Sequence, residues 1–92
     1  MKKYIISYDL KAPNKDYEPL IKKLKTADRW CRIHASAWVI WSESKNAKEL
    51  FPILNHVTDS DDSISMLPLS DAADGQWKNM DPDVSDSLAN NW

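Results

Sequence analysis

The chain has one glycine and one cysteine among its 92 residues. A single glycine excludes the glycine-rich loops with which nucleotide-binding proteins cradle phosphates, since those need several. A lone Cys31 excludes an internal disulfide and any zinc site assembled from several thiolates. Long apolar runs are missing too. None approaches the roughly 20 residues that span a bilayer, and the stretch after Lys2 and Lys3 is short and contains Asp9, unlike a secretory signal. The expectation is a soluble, cytoplasmic protein. What the chain does have is aromatic mass: five tryptophans, three tyrosines and a phenylalanine. These large side chains thicken a core that would otherwise be thin in so small a domain.

The formal charge of −2 conceals a segregation. Up to His56 the chain is basic by about five charges, and from Val57 onward it is acidic by about seven, with Lys78 the sole cation against eight aspartates. The first residues, KKYIISYDL, place Tyr4, Ile6, Tyr8 and Leu10 on one side of a strand, with Ile5, Ser7 and Asp9 on the other. Apolar groups on both faces fit a central strand. Tyr17, Leu20, Ile21, Leu24 and Ala27 then recur at helical spacing, which predicts a helix over Lys15 to Ala27. Pro19 is tolerated in its first turn, where amide protons lack partners anyway. RWCRIHASAWVIWS is too long for one strand beside such short neighbours. It is expected to fold back near His34–Ala35, giving strands at Trp30–His34 and Ser36–Trp41.

Asn46 with Glu49 three residues on fits a capping box. Ala47, Leu50, Phe51, Leu54 and Val57 form the apolar stripe of the helix that follows, with Pro52 in or just past its first turn. Ile64–Leu69 reads as a last strand, which Pro68 assigns to a sheet edge. Residues 1–69 are therefore expected to make the folded body and 70–92 an acidic tail, with Asp81–Pro82 opening a short helix over 82–90. The order βαββαβ predicts an α+β, ferredoxin-like domain: a four-stranded antiparallel sheet, two helices on one face, and the first and third strands central. The other face should be covered in part by a second subunit or by the tail. Trp77, Leu88 and Trp92 would help the tail dock, and its aspartates would then screen the basic surface of the first helix.

YIISYDL, the strand start Ser36-Ala37-Trp38, and Asp59-x-x-Asp62 leading into ISMLPL together resemble the CRISPR-associated protein 2 superfamily. The short SinR-like and VapD-like members look most similar, over residues 3–69. That resemblance implies a homodimer that associates with RNA or DNA, acting as a Mg²⁺-dependent endonuclease, including toxin-type ribonucleases. Its alternative is a non-catalytic scaffold that holds nucleic acid or a protein partner. It points to Asp9 as the catalytic and metal-proximal residue. Across a twofold axis two such carboxylates would meet, enough for Mg²⁺ with waters and substrate phosphate. The competing role for Asp9 is to cap the following loop or pair with a lysine. Lys11, Lys15, Lys22, Lys23, Arg29 and Arg32 are the expected phosphate contacts. The first helix carries lysines where many members carry arginine clusters, and lysine acts as a point charge with less geometric control.

Other constellations are weaker. Cys31 and His34 fall on opposite faces of a strand. His34 and Ser36 lie too far apart for a nucleophile and its base. Asp59, Asp61 and Asp62 lack the full spacing of a calcium loop and suit a turn. The tryptophans could stack on single-stranded bases, with core packing as the competing use.

Overall fold

The computed structural model describes residues 2–10, 18–69 and 75–90. Its elements are strand β1 (Lys2–Asp9), helix α1 (Glu18–Leu24), strands β2 (Arg29–His34) and β3 (Ala37–Ser42), helix α2 (Ala47–His56), strand β4 (Ser63–Leu69) and helix α3 (Pro82–Asn90). The four strands form one sheet in the order β2-β3-β1-β4 with every neighbouring pair antiparallel. β1 and β2 therefore run the same way with β3 between them, the ferredoxin-like arrangement.

The alternation along β1 sets the register. Tyr4, Ile6 and Tyr8 are buried while Lys2, Ser7 and Asp9 are exposed. Their side joins Leu20 and Leu24 of α1, Trp38 and Ile40 of β3, and Leu54 of α2 in the main core. Trp38, fully buried, donates its indole N–H to the Tyr8 hydroxyl at 3.1 Å. That hydroxyl in turn donates to the Ala35 carbonyl at 3.2 Å. The same carbonyl accepts from Arg32 Nη2 at 2.7 Å and Nε at 3.3 Å. Three donors on one carbonyl hold a β2–β3 turn, Ala35–Ser36, that has no Gly, Pro, Asn or Asp to shape it. The hairpin lies within one residue of the expected place.

α2 begins with the expected capping box: Asn46 Oδ1 accepts from Glu49 N at 3.1 Å and Glu49 Oε1 accepts from Asn46 N at 3.3 Å. α1 ends at Leu24, three residues before the expected Ala27, and the expected start at Lys15 lies outside the described residues. β4 is an edge strand, as Pro68 requires.

β3 is buried from Trp38 to Ser42, with successive side chains on opposite faces, so both faces of the sheet are covered there. The second cover is α3. Asp81 caps it, accepting from Asp83 N at 2.9 Å through Oδ1, with Pro82 at its first position. Leu88 and Val84 then pack on Cys31, Val39 and Trp41. Trp77 donates its indole N–H to Ser85 Oγ at 2.8 Å, tying the approach segment to the helix. The acidic tail thus supplies a layer of the fold on the side of the sheet away from α1 and α2.

Candidate nucleic-acid and metal site

Asp9 is the last residue of β1, where a central strand leaves the sheet, and its side chain is exposed. It stands opposite Ser63, the first residue of β4. Ser7, Asp9, Ser63 and Ser65, with Tyr8 and Ile64, line an open cleft of about 210 Å³. Ser65 Oγ donates to the Ser7 carbonyl at 3.4 Å across the strand pair. The serines follow from strand alternation: on the Asp9 side of β1 and β4, the residues at this end are short and polar.

The loop entering Ser63 brings more negative charge to the same end of the sheet. Carboxylate oxygens of Asp59, Asp61 and Asp62 lie within 4.8 Å of one another. Asp62 Oδ2 accepts from Asp59 N at 2.8 Å, and Asp62 N donates to the Asp59 carbonyl at 3.1 Å. Those bonds are the turn duty expected of this segment. Among the described residues, Asp9 and this loop make the end acidic, so a phosphate approaching them without a cation meets repulsion.

Among the described residues, the expected phosphate contacts are not gathered around Asp9. Lys22 and Lys23 occupy the last turn of α1. Arg29 opens β2 level with Trp41 and, through it, Lys3, the opposite end of the sheet from Asp9. Arg32 lies nearer, level with Trp38 and Ile6, with its guanidinium on the Ala35 carbonyl and 5.3 Å from the Trp38 ring centroid. Lys11 and Lys15 lie outside the described residues. Topology explains the separation, because a helix that returns from the end of β1 to the start of β2 must carry its last turn to the far end.

Docking of the tail's aspartates over α1 is not what the described segment does. Asp81, Asp83 and Asp86 belong to α3 or its cap, on the other face. Cys31 and His34 form no ligand pair: Cys31 is buried beneath α3 while His34 is exposed. Burial pushes the Cys31 thiol up, and a hydrogen bond with Ser87 works against that shift.

Sequence reasoning missed three features. One is the serine lining of the Asp9 cleft, legible as period-two polarity in Ser63 and Ser65. Another is a hollow of about 230 Å³ between α1 and α2, floored by Leu24, Ile40 and Leu54 with Lys23 and Lys45 at its margin. The third is on β2, where Trp30 is 41% exposed with Lys25 Nζ 5.3 Å from its ring centroid.

No protein-family model and no curated protein matches the chain. Among solved structures, a hypothetical protein from Thermus thermophilus shares the fold, with a TM-score of 0.59 and 17% identity over 76% of this chain and 83% of that one. Among the described residues, no helix is long and apolar enough to cross a membrane.

Proposed function

We propose that the chain works as a homodimer on nucleic acid, with Asp9 organising a Mg²⁺ ion for phosphodiester cleavage. The observation that carries this reading is the Asp9 carboxylate, exposed in an open cleft at the mouth of a central strand. The donor set fits the metal. One carboxylate beside serine hydroxyls suits an ion that keeps most of its waters and accepts one or two carboxylates plus substrate phosphate. When bound, Mg²⁺ would shield developing phosphate charge and acidify a bound water. The chain's own part is to hold Asp9 at the strand end through its pairing with Ser63 and to keep the cleft open to a bulky polymer. Dimerisation is supported by the β4 edge, where Leu67 is 58% exposed opposite the half-buried Ile5 on the face that carries α3 elsewhere.

A second reading, a non-catalytic scaffold, is favoured by one arrangement: Lys22, Lys23 and Arg29 lie away from Asp9, so these cations are not where cleavage would occur. Cleavage assays over a panel of RNA and DNA substrates decide between the two. The enzyme reading expects Mg²⁺-dependent products from the wild type, none from Asp9→Asn, and equal thermal midpoints. Nucleic-acid binding without metal-dependent cleavage would establish the scaffold instead.

A further inference from the structure

We infer that the outer edge of the sheet at β2 is a stacking site for single-stranded nucleic acid, centred on Trp30. This rests on the nucleic-acid reading above but puts the grip on the strand away from Asp9. Trp30 is an unusual edge residue: it points to the α1 and α2 side of the sheet, level with Ile40, yet remains 41% exposed, while α3 packs on the opposite face of β2. Its ring lies 5.3 Å from that of the buried Trp38, tilted by 49°, which fixes its orientation from beneath. Two cations frame the pair. Lys25 Nζ is 5.3 Å from the Trp30 centroid and the Arg32 guanidinium is 5.3 Å from the Trp38 centroid.

An aromatic surface braced from below and flanked by cations supplies both halves of sequence-tolerant strand binding: a π-face for a base and positive charge for the phosphates beside it. A duplex hides its base faces by internal stacking, so the site selects unpaired strands. Lys25 is exposed on the turn after α1, where its contact with the ring can be exchanged for a phosphate. Arg32 is committed to Ala35 and serves as a fixed charge. Asp83 of α3 closes the other side of Trp30, where it shares a hollow of about 200 Å³ with Arg32. It disfavours phosphate there, which leaves the Lys25 side for the backbone.

The test is fluorescence anisotropy with labelled oligothymidine and oligouridine of about a dozen nucleotides, set against a duplex of equal length, over a salt series. Trp30→Ala should weaken single-strand binding at least about fivefold with little change in salt slope, while Trp30→Phe retains most of it. Lys25→Gln should flatten the slope by about 0.7, the release expected for one phosphate contact on a single strand. Trp30→Ala binding as tightly as wild type overturns the stacking site while leaving the nucleic-acid reading intact, as would a wild type that binds only duplex. A wild type that binds no nucleic acid removes both. The Trp30→Phe arm separates loss of the aromatic face from loss of fold.

Discussion

Tyr8→Phe removes a single oxygen and tests the bonding that joins the central strand to the β2–β3 turn. That oxygen accepts the Trp38 indole N–H and donates to the Ala35 carbonyl. Trp38 is fully buried, so its N–H would lose its acceptor with no water to replace it. An orphaned buried donor costs about 1–3 kcal/mol. The Ala35 carbonyl keeps both Arg32 bonds, so its loss is at the low end of a neutral hydrogen bond, about 0.5 kcal/mol. The expected total is about 2 kcal/mol, or a fall in midpoint of roughly 8–16 °C for a domain of this size. Urea unfolding followed by far-ultraviolet circular dichroism measures it. A cycle with Trp38→Phe isolates the pair, because the double variant has no donor left to orphan and should cost less than the sum of the singles. Additive single costs, or a Tyr8→Phe midpoint within about 2 °C of wild type, would refute the network.

The remaining predictions concern caps, cover and thiol. Asn46→Ala removes the side-chain acceptor of the α2 capping box, leaving the backbone N–H of residue 46 to Glu49 Oε1, and should cost about 1 kcal/mol in denaturant unfolding. Leu88→Asp should detach α3, and the Cys31 thiol beneath it should then react with a disulfide reagent many times faster at pH 8 than in wild type; equal rates would mean that α3 does not cover Cys31. Burial raises the Cys31 thiol above its ordinary value of 9.0, so folding favours the neutral thiol. That contribution is complete below pH 9.0 and is lost as pH climbs through the raised value, so stability should decline more steeply in alkali for wild type than for Cys31→Ser. Truncation after Ser70 strips the cover from Val39 and Trp41, and should lower the thermal midpoint and increase dye binding to exposed apolar surface.

Much of the fold could be read from local pattern. Period-two alternation in Lys3–Leu10, the Asn46–Glu49 box and the Asp81–Pro82 start each act within a few residues, and each stands in the structure. Pro68 identified an edge because a missing N–H can be tolerated only there. The seat of α3 was harder to see. Val84 and Leu88 are a single i,i+4 pair in a polar helix, and nothing local says which face they meet; the outward-facing Cys31, Val39 and Trp41 were the other half of that signal. Arg32 was assigned to phosphate on charge alone, because its bonds to Ala35 depend on a turn geometry that composition does not encode. Asp9 could be singled out at once, since a carboxylate ending an apolar central strand is exposed by position. The distance of Lys22 and Lys23 from it follows from connectivity rather than from any motif.

The claim that Asp9 organises the metal is tested most directly by Mn²⁺ binding, followed by electron paramagnetic resonance in wild type, Asp9→Asn and an Asp59→Asn/Asp61→Asn double variant. The account predicts that wild type and the double variant bind Mn²⁺ alike while Asp9→Asn loses it. Mn²⁺ that stays on Asp9→Asn and leaves with the acidic loop would contradict it, placing the cation on the turn before β4 instead.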